Sequence, residues 1–467
     1  MIHPPQTLGP LLFSEGQAPD EDGHRLAVLL ALPDGAAPPL LRPGEGPPVE
    51  GCAADRLCGL TFWRYAFTLP PGGGRYRLGA HAHDVAGLVG DMRIGFVSCN
   101  GKEHGDFDRP QDARDAMWAR LAREHASTPL SLLIHGGDQL YADAGLEAHP
   151  ALAAWADAPD PEKPARTAGP EAEAALARFF LDRWGRIVSG PAGQLMAQVP
   201  GLAMWDDHDI FDGYGSRPMT VQDSPVGRMV YAVARRFYRL FQAGGAGPVP
   251  PAPLGWARRY PGFSVVAPDL RTERRPDRVM STGWDRLAEA VAATPAGDHL
   301  FLVSTVPVLG PRLSLVEGVH RLVPGAQKYE DDLRDQWQSP AHRAEWRRLL
   351  TLIGDRAEQA GPVTVLSGEI HLATRGEMRL KGGALHQLTA SGISHPPPPR
   401  AFAAALGLLS RLGGAPLPDR PIRLLPLPGR RAVYAAQRNY LVLRRAGGAW
   451  QAEWELEESG RTPPLPL

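Results

Sequence analysis

The chain has 467 residues with 50 Lys plus Arg against 51 Asp plus Glu, a formal net charge of −1. That length allows one large core with a satellite unit, and the even charge excludes the basic field of a nucleic-acid-binding protein, so a phosphate-bearing partner has to be drawn by local cations. Three cysteines, Cys52, Cys58 and Cys99, are not a disulfide framework. The start, Met1-Ile-His-Pro-Pro-Gln-Thr7, lacks the charged and apolar stretches of a secretory leader. The longest apolar run, Ala401 to Leu412, is broken by Ser410 and Arg411 and is too short to span a bilayer. The expectation is a loop-rich cytoplasmic enzyme of unassigned oligomeric state.

Residues 1–90 read as a small β-rich N-terminal domain, and residues 91–467 as the main domain. In the first part, Leu26 to Leu32 is an apolar run ended by Pro33-Asp-Gly, and Thr61 to Leu69 alternates as a strand does before Pro70-Pro-Gly-Gly-Gly. Pro33 to Pro48 reads as a surface loop. Beyond residue 91, strands and helices alternate. Strands are predicted at Met92–Ser98, Ser131–His135, up to Trp205, and at Ser264–Leu270, Leu300–Val306 and Val363–Ser367. Helical spacing falls at Asp112–Glu124, Ala174–Ile187 and Val226–Ala243. Residues 150–173 read as an insertion loop, residues 396–428 as a lid or wrapped loop, and Tyr440 to Leu456 as a β-hairpin across Gly447-Gly448. The alternation predicts a layered α/β architecture.

Four of the apolar runs stop at residues suited to metals or phosphate. Ser98-Cys99-Asn100 ends the first. Gly136-Gly137-Asp138-Gln-Leu-Tyr141-Ala-Asp143 ends the second, with glycines that let the backbone approach a metal closely. Trp205-Asp206-Asp207-His208-Asp209 ends the third; a core strand delivering so many carboxylates is destabilised unless cations compensate. Ser367-Gly-Glu369-Ile-His371 ends the fourth, with ligand types at i and i+2 that an extended turn can bring to neighbouring ions. Each has a plainer reading: Asp138 as a turn or cap, Cys99 as a small core residue, His371 as a satisfied core imidazole. Arg271-Thr-Glu-Arg274-Arg275, after the Ser264–Leu270 strand, is either phosphate-reaching or a solvated basic loop. His395 is a further residue for the edge of the site.

Together the four segments resemble the PhoD-like (alkaline phosphatase D) family of the metallophosphoesterase superfamily, over about residues 90–395. Ser98-Cys99 is similar to its Ser-Cys motif, Gly137-Asp138-Gln-Leu-Tyr141 to Gly-Asp-x-x-Tyr, Trp205-Asp-Asp-His208-Asp209 to Trp-Asp-Asp-His-Glu, and Gly368-Glu369-Ile-His371 to Gly-Asp-x-His. The resemblance implies a two-sheet sandwich flanked by helices. It implies Fe(3+) held by Cys99, Asp138 and Tyr141, with Ca(2+) nearby, Asp138 bridging, Asp207 in place of the superfamily's Asn, and Glu369 and His371 completing the set; Mn, Zn or Mg are the alternative ions. Asp212 falls where the family often has Asn, and Glu369 stands for Asp one methylene longer. The superfamily's first-strand Asp-x-His is absent, with Cys99 and Gly101 in those places.

The implied activity is hydrolysis of small phosphate mono- or diesters by a metal-activated hydroxide. His208 protonates the leaving alkoxide, and Asn100 and Arg271 stabilise transition-state charge. The alternative is a non-catalytic phosphate- or lipid-headgroup-binding protein with the same fold; a DNA-processing nuclease is disfavoured by the even charge.

Overall fold

The computed structural model describes residues 7–17, 23–102, 105–247, 253–310, 335–410 and 414–467. The start of the N-terminal stretch, residues 1–6, and Arg411 and Leu412 of the long apolar run lie outside them.

Short, largely apolar runs form strands buried on both faces. Met92–Val97, Leu132–Gly136 and Val363–Ser367 are covered along their whole length, as expected of parallel strands sheltered by helices. Met92–Val97 pairs in parallel with Leu132–Gly136, which pairs in parallel with Gly201–Met204. Parallel neighbours need long crossovers, and the helices Ala116–Ser127 and Pro170–Val188 lie within them.

These three strands are the middle of the larger sheet. On one side follow Asn439–Ala446, Ala449–Leu456 and Gly460–Arg461. On the other follow Leu8–Gln17, His24–Pro33, Leu60–Leu69 and Cys52–Leu57. The sheet therefore runs through the boundary expected near residue 90: Leu8–Gln17 pairs in parallel with Gly201–Met204. A second sheet runs in the order Trp256–Tyr260, Phe263–Ala267, His299–Val303, Val363–Ser367, Gly383–Thr389, Thr374–Leu380 and Ile422–Leu425. A third, small sheet joins Leu41–Pro43, Gly73–Leu78 and His81–Ala86. The protein is thus mixed α/β.

One apolar core draws Phe96, Ile134 and Met204 from the larger sheet and Phe263, Phe301 and Leu366 from the second. Each such side chain contributes about 1.5–3 kcal/mol by leaving water, so the two sheets hold each other and bring strand ends from both to one place.

Several expectations change. Residues 150–173 are not a plain loop. Helix Pro150–Ala156 opens the stretch and helix Pro170–Val188 closes it, each with proline in its first turn, where a missing N–H costs nothing. Residues 396–428 contain a helix, Arg400–Ser410, and a strand, Ile422–Leu425. Leu41–Pro43 interrupts the loop expected at 33–48. The hairpin is present, with Asn439–Ala446 antiparallel to Ala449–Leu456. All three cysteines are free thiols. Among the described residues no helix is long and apolar enough to cross a membrane.

Candidate metal centre

The centre forms where four strands run out. At Gly137 a Cβ would meet the Asp206 Cβ at 2.9 Å and Thr305 at 3.1 Å; at Gly368 it would meet Ser98 Oγ at 2.4 Å and Gly136 O at 2.8 Å. Only glycine lets these strand ends close on one another. The residues beside them carry strain. Cys99, Asp138, Glu369 and His371 have φ of 53°, 55°, 64° and 50°. Left-handed backbone costs a non-glycine residue on the order of 1 kcal/mol and concentrates where function over-determines it.

Ligand atoms of Cys99, Asp138 and His371 lie within 4.8 Å of one another, as do those of Asp138, Asp206 and Asp207, and those of Asp207, His208 and Asp212. Asp138 links the first two groups and Asp207 the last two. The Cys99 thiol donates to Asp138 Oδ2 at 3.3 Å and accepts from Ser391 Oγ at 3.1 Å. Tyr141 Oη is 3.0 Å from His371 Nε2. Its ring stacks between His208, 4.4 Å between centroids, and His395, 5.4 Å. His395 stacks in turn on His371 at 3.5 Å.

Burial and like charge dominate the electrostatics. Burial, with Asp206 and Asp207 adding, holds the Asp138 carboxyl well above the ordinary carboxylate range. Burial, partly offset by Arg271, pushes Asp206 up to about 6. The Cys99 thiol is pushed well up by burial and by Asp138. His371 is held well below its usual value by burial and by His395 and His208, so its imidazole is neutral, the form that ligates. Burial would lower His208 too, but Asp143, 2.7 Å from its Nδ1, and Asp207 carry it well above the ordinary value.

Two carboxylate oxygens, Asp138 Oδ1 and Asp206 Oδ2, are buried without a hydrogen-bond partner. Such orphans cost about 1–3 kcal/mol or more each. They sit in the group that also contains Asp207. A cation bound there would remove this cost, and the thiol, imidazole, phenol and carboxylates are donors suited to one.

The expected site residues divide. Cys99, Asp138, Tyr141, Asp207, His208, Asp212 and His371 come together. Glu369 does not bring its carboxylate in: both oxygens accept from Gln336 Nε2 at 2.8 Å, and its backbone carbonyl is what reaches Cys99, at 3.8 Å. Arg271, read as a phosphate-binding candidate, is 0% exposed. Its guanidinium bonds Asp206, Asp335 and the Tyr214 carbonyl and lies 3.3 Å from Asp207. It fixes the carboxylates from behind and is closed to a substrate. Asn100 is likewise committed, accepting from Trp118 Nε1 at 2.7 Å and donating to the Gln139 carbonyl at 3.2 Å. Asp209 accepts from the backbone N–H of Asp138, Leu140 and Asp206, tying two strand ends together.

Asp335, Gln336 and Ser391 were not singled out in the sequence. No motif marks them; their roles follow only from folding against Arg271, Glu369 and Cys99.

Residues 61–247 match the model of a family described as PhoD related phosphatase. The fold is similar to the solved structure of PhoD, with a TM-score of 0.60 over 98% of this chain and 88% of that one, at 14% identity. In sequence the chain is 26% identical over 419 residues to the uncharacterized protein YGR266W of Saccharomyces cerevisiae. That match covers 68% of this chain and 58% of the yeast protein, so the chain spans little more than half of that relative.

Proposed function

We propose that this chain, similar over residues 61–247 to PhoD related phosphatases and in fold to PhoD, is a metal-dependent phosphoric ester hydrolase acting on small phosphate mono- or diesters. The observation that carries the reading is the pair of orphaned buried oxygens on Asp138 and Asp206, set among carboxylates within 4.8 Å of one another. A fold has no reason to keep that arrangement without cations. On this reading the two larger sheets are the layers of the metallophosphoesterase sandwich, and their shared core supports it.

Cys99, Asp138, Tyr141 and His371 are the set for a trivalent ion such as Fe(3+), because thiolate and phenolate are anionic donors. Asp138, Asp207 and Asp212 are the harder set, suited to Ca(2+) or another divalent ion. Bound cations would neutralise phosphoryl oxygens and supply a water acidic enough to act as nucleophile.

The chain's own part is positioning and proton transfer. Asp143 accepts from His208 Nδ1, which fixes the ring and keeps it protonated. The Nε2 proton is then the one to give to the leaving alkoxide oxygen. Tyr141, stacked on the His208 ring, restrains its plane. Arg271 holds Asp206 and Asp207 in place.

The test is hydrolysis of bis-p-nitrophenyl and p-nitrophenyl phosphate by the purified protein, before and after chelation. Turnover that is lost on chelation and restored by added metal is expected. Metal-loaded protein that turns over neither ester contradicts the reading and leaves a phosphate binder.

A further inference from the structure

Beside the metal centre lies a cluster of cations that the proposed chemistry does not use. The short turn Asp106–Asp108 presents Phe107, and three guanidinium groups surround its ring: Arg114 at 4.7 Å, Arg183 at 4.7 Å and Arg186 at 4.8 Å from the centroid. Arg183 also sits 4.7 Å over Phe179. Arg114 ends helix Gln111–Arg114, while Arg183 and Arg186 lie one turn apart on Pro170–Val188.

The neighbouring carboxylates are already taken. Asp106 pairs with Arg109 at 2.7 Å, Asp115 with Lys102 at 3.3 Å, and Asp182 with Arg186 at 2.8 Å. Among the described residues that leaves Arg114 and Arg183 with no acid of their own. Arg183 is only 6% exposed, and its Nη1 is buried without a partner, as is Nε of Arg114. Burial and the adjacent Arg186 bring Arg183 down to about 10. Contacts with an aromatic face return only part of what a buried, unpaired guanidinium loses in leaving water. The missing partner is an anion, and guanidinium groups gathered within 4.8 Å of the centre of one ring suit an oxyanion with several acceptor oxygens.

The cluster's position gives it a use. Its turn is packed against the loop that follows Cys99: a Cβ at Gly101 would meet Asp106 Oδ2 at 2.6 Å and the His395 backbone nitrogen at 3.1 Å. On the other flank, Asp143, the partner of His208, is among the charges that act on Arg183.

We infer that Arg114 and Arg183, gathered with Arg186 about Phe107, form a binding site for a phosphate-sized oxyanion next to the metal centre. The anion comes either from a second phosphate on the substrate or from free phosphate. The site itself is independent of the hydrolase reading; only the first source rests on it.

The first experiment uses the full-length chain carrying Asp138→Asn, so that phosphate does not act through a bridged metal pair. Inorganic phosphate, at constant ionic strength, is expected to raise its melting temperature, and Arg114→Gln, at a partly exposed position, to abolish the rise. Arg183→Gln is expected to do the same where it folds. No rise, or a rise that survives Arg114→Gln, overturns the inference.

The second experiment separates the sources in metal-loaded protein without the Asp138 change. If the anion is part of the substrate, Arg114→Gln raises KM about tenfold or more for an ester carrying a second phosphate. For bis-p-nitrophenyl phosphate KM stays within about twofold. Equal KM effects, with the phosphate-induced rise intact in the parent and lost in Arg114→Gln, support free phosphate as the ligand. Absence of all hydrolysis overturns the proposed function and leaves the melting experiment to decide the anion site.

Discussion

Replacing Asp138 by Asn is expected to change stability in opposite directions with and without metal. In the metal-free chain, the Asp138, Asp206 and Asp207 ligand oxygens lie within 4.8 Å of one another. At an effective dielectric near 20, two such charges repel by about 3.5 kcal/mol. Asp138 avoids this by holding its proton far above the usual range, because of burial and of Asp206. Asn keeps the shape and is neutral at every pH, so metal-free Asp138→Asn is expected to equal the parent or exceed it by about 1–3 kcal/mol. With metal the balance reverses. A cation present at about a thousand times its Kd would stabilise the parent by about 4 kcal/mol, and most of that is expected to be lost with the Asp138 carboxylate. The assay is urea unfolding followed by tryptophan fluorescence, in EDTA and in metal buffer, with midpoints compared at equal slope. A loss of more than about 1 kcal/mol in both conditions would refute the reasoning, since it would make Asp138 a structural residue with no tie to an ion.

Arg271→Met removes the fully buried cation shared by Asp206, Asp207 and Asp335; a cost of about 3–5 kcal/mol is expected in the same unfolding assay, and a cost under about 1 kcal/mol would show the network to be dispensable. His208→Gln is expected to slow esters of poor leaving groups more than p-nitrophenyl esters, which need no proton; equal losses on both would remove the proton-donor role. Burial holds His24 at about 3, His135 at about 4 and His299 at about 3 in the folded protein. The unfolded chain takes up those protons from about pH 6.5 downward, so each imidazole lowers stability by up to about 1.4 kcal/mol per pH unit below that point and contributes nothing to the slope above it. His299→Leu is expected to flatten the acid limb of the stability curve by one such share relative to the parent, and an unchanged limb would count against a neutral buried His299.

The sequence disclosed the site best where chemistry ends a strand. Leu132 to Gly136 is mostly apolar and then gives way to Gly137 and Asp138, so a buried strand delivering a carboxylate could be read locally. The same held for Cys99 after Met92–Val97 and for the acidic run after Gly201–Met204. Long-range pairing was not legible. Arg271 follows a strand and looks free to meet phosphate, yet Asp335, far along the chain, closes on it. Glu369 has ligand chemistry and ligand spacing, but left-handed backbone at 369 and 371 gives its carboxylate to Gln336 instead. The helices beginning at Pro150 and Pro170 were hidden because proline, alanine and charge together look like loop composition. The N-terminal strands looked separable because the sequence carries no sign that Leu8–Gln17 pairs with a strand far downstream.

The proposed activity requires cations held between Cys99, Asp138, Tyr141, Asp207 and His371. X-ray anomalous scattering from crystals of the purified protein, collected on both sides of the iron absorption edge, tests it most directly. The expected result is an iron peak within bonding distance of Cys99 Sγ, Tyr141 Oη and a carboxylate oxygen of Asp138, with a second, lighter ion against Asp207. Fully ordered side chains with no ion between them, in protein prepared without chelator and supplied with metal, would contradict it.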